Sequence, residues 1–145
     1  AVASLYIPFV KEDGTSVSKG QDLEPHVPCV IVKKDLVLIS LSSLDFSFIV
    51  EENISEIFNL LAKYKMKVDV IQNSAISFSV CTGNNYKNLK KLLQHLKAKF
   101  KVDFTENVSL YTIRHFDKKA IHGLEENKTI LLKQIFDQTV QIVTQ

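Results

Sequence analysis

The stretch NISEIFNLLAKYKMKVDVIQNSAISFSVCT, residues 53–82, changes its hydrophobic period once and thereby decides the fold class. Apolar residues in its first half follow the i, i+3, i+4, i+7 spacing of an amphipathic helix: Ile54, Ile57, Phe58 and Leu61. In its second half, KVDVIQN and AISFSVC alternate with the two-residue period of half-buried strands. Turn-forming residues 73–75 separate the two runs. The sequence therefore predicts a helix packed on a sheet, followed by a β-hairpin.

The start of this helix is predicted from Asn53 and Glu56. An Asn at the N-cap accepts a hydrogen bond from a free backbone N–H of the first turn, and a Glu three residues later reaches back to the cap. We therefore expect the helix to begin after Asn53.

On either side of this stretch the pattern extends to a complete unit. VPCVIV and DLVLISL predict two strands separated by Lys33 and Lys34. NYKNLKKLLQHLKAKF predicts a second amphipathic helix, and KVDFT predicts a closing strand that ends near Thr105. The order from residue 35 to residue 105 is βαββαβ, which is the split arrangement of a ferredoxin-like α+β fold. Such a fold is an antiparallel sheet with its helices on one face.

A second unit of the same kind begins after the first and is left incomplete. VSLYTIRH predicts a strand, DKKAIHGLEEN predicts a helix opening at Asp117, and KTILLKQIF with QTVQIVTQ predicts a hairpin around Asp137. The last helix and strand of this unit are missing. VPCVIV, which lies before the first unit, is the natural candidate to supply the missing strand. The first unit is therefore expected to be inserted within the second.

Composition limits the function classes. The chain has 145 residues, a formal net charge of +2, and Cys29 and Cys81 each lie in an apolar run. This near-neutral charge disfavours a dedicated nucleic-acid binder, and no apolar run approaches the length that spans a bilayer. We expect a soluble, cytoplasmic protein that associates with neither nucleic acid nor membrane. Histidines and cysteines show no ligand spacing, which predicts no metal site, and no Ser, His and Asp grouping suggests catalysis.

Residues 55–80, SEIFNLLAKYKMKVDVIQNSAISFSV, resemble the first regulatory ACT module of aspartate kinases. The residues that match the pattern of that module are Phe58, Val68, Asp69, Val70, Ile71, Asn73, Ser74 and Ser77. IPFVKEDGTSV resembles the end of the kinase domain, with Gly14 and Thr15 as the Gly-Thr pair. VSLYTIRHF and TVQIVTQ resemble the opening and closing strands of the second, nested ACT module.

The resemblance implies a domain organisation and a function. Residues 1–25 would be the tail of the kinase domain and a linker, residues 35–105 the first ACT module, and residues 26–34 with 106–145 the second. The parent enzyme would transfer the γ-phosphate of ATP, with Mg, to the β-carboxylate of aspartate. This chain lacks the Lys-Phe-Gly-Gly phosphate-binding start and the catalytic body, so it should be inactive, without cofactors or catalytic residues, and regulatory. Its expected partners are an amino-acid effector, lysine or threonine, and the kinase domain of the same chain.

The effector site is expected where the end of the first strand, the start of the first helix and the hairpin turn meet at one edge of the sheet. Free N–H groups and the helix dipole suit the carboxylate of an amino acid there. Asp69 would receive its ammonium group through a charge-assisted hydrogen bond. Glu51 and Glu52 would repel a carboxylate, and Ala75 stands where many members have Glu. The candidate effector-binding residues are Ser47, Phe48, Ile49, Asn53, Ile54, Asp69, Asn73 and Ser74.

Several alternatives stay open at the level of sequence. Asp69 is also typical of a solvated edge strand, and Asn73 and Ser74 are ordinary turn formers. A free-standing ACT amino-acid sensor has the same pattern. A single-strand RNA-binding module is a weaker alternative, because ISFSVC offers Phe78 alone as an aromatic platform. Since the second unit lacks a helix, part of its sheet would be bare, which predicts a homodimer.

Overall fold

The computed structural model describes residues 3–6, 29–45 and 47–145. The strands are β1 (Ala3–Tyr6), β2 (Cys29–Ser43), β3 (Val68–Asn73), β4 (Ser77–Gly83), β5 (Phe100–Arg114), β6 (Ile130–Phe136) and β7 (Thr139–Thr144). The helices are α1 (Glu51–Lys63), α2 (Tyr86–Lys97) and α3 (Lys118–Asn127). Apart from β1, the predicted kinase-domain tail over residues 1–25 lies outside the described residues.

Residues 34–108 form one compact unit. Its strands follow the order β3-β4-β2-β5, and β4 pairs antiparallel with both β3 and β2. Alternate residues of β2 and β4 pack with α1 and α2 into one core, which places both helices on the same face. The predicted ferredoxin-like α+β fold is therefore confirmed. The fully buried members of this core include Val37, Ile39, Leu41, Ile57, Leu61, Phe78, Val80, Leu92 and Leu96.

Strand β2 lies between β4 and β5 and is buried on both of its faces. Val37 and Ile39 face the helices, whereas Leu36 and Leu38, which point the other way, are also buried. Burial on both faces explains why DLVLISL is an almost continuous apolar run rather than an alternating one.

Two strand boundaries predicted from the sequence are wrong. Lys33 and Lys34 do not separate two strands, because β2 continues through them, and β5 likewise joins the predicted strands KVDFT and VSLYTIRH. Each long strand instead holds one residue with a positive φ, Asp35 at 58° and Asn107 at 55°. Asp and Asn tolerate this left-handed conformation better than other residues that carry a Cβ. A single such residue locally redirects the strand without ending it.

The predicted start of α1 is also wrong. The helix begins at Glu51 with Val50 at the N-cap, two residues earlier than a helix capped by Asn53. The Glu51 and Glu52 carboxylates interact favourably with the positive end of the helix dipole, which favours this longer helix. Asn53 becomes the third helical residue, and its Oδ1 accepts a hydrogen bond from the Val50 N–H at 3.0 Å. It therefore caps the helix from inside the first turn.

Residues 109–145 form the second unit together with β1 and the first residues of β2. Here β7 lies between β5 and β6. Helix α3 begins at Lys118 with Asp117 as its N-cap, and Asp117 Oδ1 accepts from the Ala120 N–H at 2.8 Å. The core consists of Tyr111, Ile113, Ile121, Val140 and Ile142. Val30 and Val32 of β2 pack against this cluster, so the early strand contributes to the core of the second unit.

Within the residues that the structure describes, no helix combines the length and the apolar character that a membrane span requires.

Candidate functional site

The candidate site lies at one edge of the first unit, which we call the rim and define as residues 43–45, 47–54 and 73–77. The Ile49 N–H donates a hydrogen bond to the Ala75 carbonyl at 2.9 Å. This bond ties the loop between β2 and α1 to the turn between β3 and β4. Ile49 is 7% exposed and packs in the core, which anchors the loop from below. The loop, the start of the helix and the turn therefore meet, as the topology predicts.

Hydrogen bonds among Ser43, Asp45 and Ser47 order the loop before the helix. Asp45 Oδ1 accepts from the Ser43 hydroxyl and, at 3.1 Å, from the Ser47 N–H. The two serine hydroxyl groups lie 2.8 Å apart. Hydrogen bonds from Ser43 and then from Ser47 lower the pKa of the Asp45 carboxyl from 3.8 to about 2. The rim thus carries a carboxylate that is ionised at every physiological pH.

The low pKa of Asp45 predicts a pH dependence for the loop. Because folding stabilises the ionised carboxylate, its contribution is present above about pH 4 and is lost as the pH falls towards 2. In an NMR titration, the Ser47 amide is expected to shift with a midpoint near 2. Ser43→Ala removes the largest cause and should move this midpoint back towards 3.8. A midpoint near 3.8 in the unmodified chain would contradict the loop geometry.

Serine side chains close the turn on the other side of the rim. The Ser74 N–H donates to the Ser77 carbonyl at 2.9 Å, and the Ser77 N–H donates to Ser74 Oγ at 3.1 Å. The two hydroxyl groups lie 2.8 Å apart. Ser74 thus stabilises the turn with the same hydroxyl that the sequence assigns to a ligand. Asn73, the last residue of β3, is exposed beside it.

Asp69 lies away from this turn, near the start of edge strand β3. The pairing of β3 with β4 shifts register between Val68 and Val70, so Asp69 is the extra residue of a β-bulge. Bulges redirect a side chain relative to the regular alternation of a strand. Asn73 follows four residues later, about 13 Å along an extended strand. The hydrogen bond from Ile49 to Ala75 fixes the loop that carries Ser47 and Phe48 to the turn, and α1, which contains Asn53 and Ile54, starts directly after this loop. Asp69 lies further along the edge strand.

The surface of the rim is both apolar and acidic. No Lys or Arg occurs between residues 35 and 62 or between residues 68 and 86, whereas Asp45, Glu51 and Glu52 are exposed at the rim. Four apolar side chains are exposed beside these carboxylates: Leu44 (60%), Phe48 (68%), Val50 (46%) and Ile76 (62%). Ser43 and Asp45 were not among the residues that the sequence predicted for the site. Ser and Asp two residues apart at the end of a strand are nevertheless typical of a loop that is held by side-chain hydrogen bonds. The sequence pointed to Ala75 only for the Glu that many family members have there, whereas in the structure Ala75 acts through its backbone carbonyl.

No group of three His, Cys, Asp or Glu side chains in the described part of the chain is arranged to hold a metal ion. The rim offers carboxylates, hydroxyl groups and backbone N–H groups, a set suited to binding a small polar molecule.

Comparison with known proteins identifies the fold. No family model matches the chain, and no curated protein matches it in sequence. Among solved structures, a chain from Porphyromonas gingivalis W83 described as a C-terminal regulatory domain of aspartate kinase is similar, with a TM-score of 0.67 and 17% identity over 81% of this chain and 85% of that one. The fold is that of the aspartate kinase regulatory region. The resemblance seen in the sequence is therefore confirmed at the level of fold.

Longer aspartate kinases share this regulatory fold. Escherichia coli aspartokinase III in complex with lysine and aspartate matches 79% of this chain with a TM-score of 0.62 and 21% identity. Clostridium acetobutylicum aspartate kinase matches 79% with a TM-score of 0.64 and 14% identity. This chain covers 28% and 30% of those two chains, respectively. This chain therefore spans less than a third of the length of either enzyme.

Proposed function

We propose that this chain is the regulatory portion of an aspartate kinase, in which an amino-acid effector binds at the rim of the first unit. The parent enzyme would transfer the γ-phosphate of ATP to the β-carboxylate of aspartate in the cytoplasm. The fragment itself would be inactive. Its similarity to the Porphyromonas gingivalis regulatory domain over most of both chains is the observation that carries this proposal.

The chemistry of the rim supports an amino-acid ligand. The first turn of α1 has no side-chain cap at Val50, so backbone N–H groups and the positive end of the helix dipole face the loop. Phe48 and Ile76 offer exposed apolar surface for a side chain. The Asp45, Glu51 and Glu52 carboxylates attract an ammonium group, which every amino acid carries. A bound lysine in Escherichia coli aspartokinase III makes a basic amino acid the first effector to test.

Regulation would follow from a difference in affinity. An effector that binds one conformation of the parent enzyme better than another shifts the population towards the first. The coupling free energy equals the difference in binding free energy between the two conformations. The hydrogen bond from Ile49 to Ala75 joins the loop before α1 to the hairpin, so an effector bound there would bias the positions of both elements.

Calorimetric titration of the chain with lysine, threonine and methionine tests the proposal. We expect saturable heat with at least one of them. Asp69→Ala should weaken binding about tenfold or more, because a charge-assisted hydrogen bond contributes about 1.5–3 kcal/mol. The melting temperature should stay nearly unchanged. Asp69 is the carboxylate of the edge strand, so this variant also asks whether the ligand extends from the rim along β3.

The matched control is Asp103→Ala, since Asp103 is an exposed carboxylate on β5 of the same unit. It should leave binding unchanged within about twofold. Absence of heat with all three amino acids would leave the rim a structural role only. Equal loss of affinity in both variants would mean that effector binding depends on the net charge of the chain and not on Asp69 itself.

We also propose that a second copy covers apolar surface of the second unit. Ile135 and Phe136 are 58% and 85% exposed at the end of β6, which is the edge strand of its unit. Exposed apolar residues on an edge strand favour association.

The alternative of a single-strand RNA-binding module requires an exposed aromatic side chain on which a base can stack. Phe78, the aromatic residue that the sequence offers for this role, is only 1% exposed, which argues against this alternative.

A further inference from the structure

One end of the second unit carries three polar side chains on the face of the sheet that packs against α3. Tyr111 and Ile142 pair across β5 and β7, and both belong to the core on this face. Thr144 follows Ile142 by two residues, so its side chain lies on the same face, diagonally opposite Tyr111. Lys128 follows α3 directly, and its ammonium nitrogen is 4.9 Å from the centroid of the Tyr111 ring. We call Tyr111, Lys128 and Thr144 the donor cluster.

Thr144 contributes a buried hydroxyl group. The residue is 1% exposed, and its Oγ1 has no hydrogen-bond partner among the residues that the structure describes. Burying a hydroxyl group without a hydrogen bond costs stability, and nearly all such groups in folded proteins bond to a protein atom, a water or a ligand. Thr144 therefore indicates that a polar group meets it in solution.

The other two members of the cluster add a positive charge and a second free donor. The Lys128 ammonium group donates a hydrogen bond to the Tyr111 phenol oxygen, so the phenol O–H remains for another acceptor. Lys128 forms no ion pair in the described part of the chain. Glu125 and Glu126, the carboxylates closest to it in sequence, contact other basic side chains. Lys128 is exposed, which makes the cluster reachable from solvent at this side chain.

We propose that the donor cluster binds a small oxyanion, the carboxylate or phosphate group of a small molecule. An ammonium group, a phenol O–H and an aliphatic hydroxyl group all donate hydrogen bonds, and a charged oxygen is the acceptor that makes such bonds strongest. A water molecule would satisfy Thr144 but would leave Lys128 without an anionic partner. The cluster belongs to the second unit and the rim to the first, so this binding requires no effector.

NMR titration of the whole chain with inorganic phosphate and, separately, with sodium acetate tests this binding. Ionic strength is held constant with NaCl, so that the screening of surface charges does not change. We expect the amide signals of Lys128 and Thr144 to shift saturably with at least one of the two anions. Tighter binding of phosphate would assign the site to a phosphate group, and tighter binding of acetate would assign it to a carboxylate.

Two variants each remove one donor from the cluster. Thr144→Val keeps the shape of the side chain without its hydroxyl group, and Lys128→Met keeps an unbranched chain without its charge. Each should weaken anion binding about tenfold or more, because hydrogen bonds to a charged group are stronger than neutral ones. The matched control is Lys119→Met, which removes an exposed lysine of α3 and should leave anion binding unchanged within about twofold.

Thermal unfolding without added anion gives a readout that separates a binding role of Thr144 from a structural one. Thr144→Val should raise the melting temperature or leave it unchanged, because it removes a buried hydroxyl group that has no partner. A lower melting temperature would show that this hydroxyl bonds within the fold, which would overturn the proposal. The absence of a saturable shift with both anions would overturn it too, as would an equal loss of binding in Lys119→Met.

Discussion

Replacing Phe78 by alanine is expected to lower the free energy of unfolding by about 3–5 kcal/mol. Phe78 is 1% exposed at the centre of the first unit, where it packs among side chains of β2, α1 and α2. Its ring also meets the edge of Phe58 at a centroid distance of 5.8 Å and an interplanar angle of 78°. The substitution removes the buried ring and this aromatic contact, and it leaves a cavity that the surrounding strands and helices fill only in part.

Denaturation by guanidinium chloride, followed by circular dichroism, measures this loss. Phe48→Ala is the matched control, because Phe48 is 68% exposed at the rim and its removal should change stability by less than about 0.5 kcal/mol. A cost below about 1 kcal/mol for Phe78→Ala would show that the hairpin does not pack as described. A large cost for Phe48→Ala would show instead that the rim is covered by another molecule in solution.

The sequence predicted the elements whose pattern is local and strongly periodic. The hairpin of β3 and β4 turns where residues 73–75 indicate, and α3 opens at Asp117 with the side-chain cap that its Asp predicts. In both cases the chemistry that sets the boundary lies within a few residues of it. Alternation in SFSV likewise placed Phe78 in the core, since period-two apolar residues lie on one face of a strand.

Features that depend on distant residues could not be predicted in the same way. Lys33 and Lys34 interrupt an apolar run, but β2 continues through them because pairing with neighbouring strands extends on both sides. The start of α1 has a distant contribution as well, beside the local one of Glu51 and Glu52. A hydrogen bond from Ile49 to Ala75 fixes where the loop ends, and the local signal of Asn53 and Glu56 contains no information about Ala75.

The candidate site shows the same division. The topology predicted that loop, helix start and turn share an edge, and they do. It did not predict the separation of Asp69 from the turn, since a bulge changes the direction of a side chain without any signal in the hydrophobic pattern. Nor did it predict that the Ser74 hydroxyl group forms a hydrogen bond with the Ser77 hydroxyl group. Side-chain hydrogen bonds within a turn decide which polar groups remain for a ligand, and the hydrophobic pattern of the sequence contains no signal for them.

The early strand provides the second test of large expected effect. Substituting serine for both Val30 and Val32 is expected to destabilise the second unit by about 2–3 kcal/mol. Both side chains are half-buried against the cluster of Tyr111, Ile113 and Ile142. Full burial of a valine side chain contributes about 1.5–3 kcal/mol to stability. Two half-buried valines together therefore contribute about as much as one that is fully buried. Each serine hydroxyl placed there adds a desolvation cost.

Native-state hydrogen exchange resolves where this loss falls. Amides of Ile113, Val140 and Ile142 should lose protection by about 30- to 100-fold, because each 1.4 kcal/mol changes the opening equilibrium about tenfold. Ile31→Ser is the matched control, since Ile31 lies between the two valines, points to the other face and is 38% exposed. Unchanged protection in the double variant would mean that the second unit holds together without the early strand. The early strand would then precede the first unit in the sequence without stabilising the second unit.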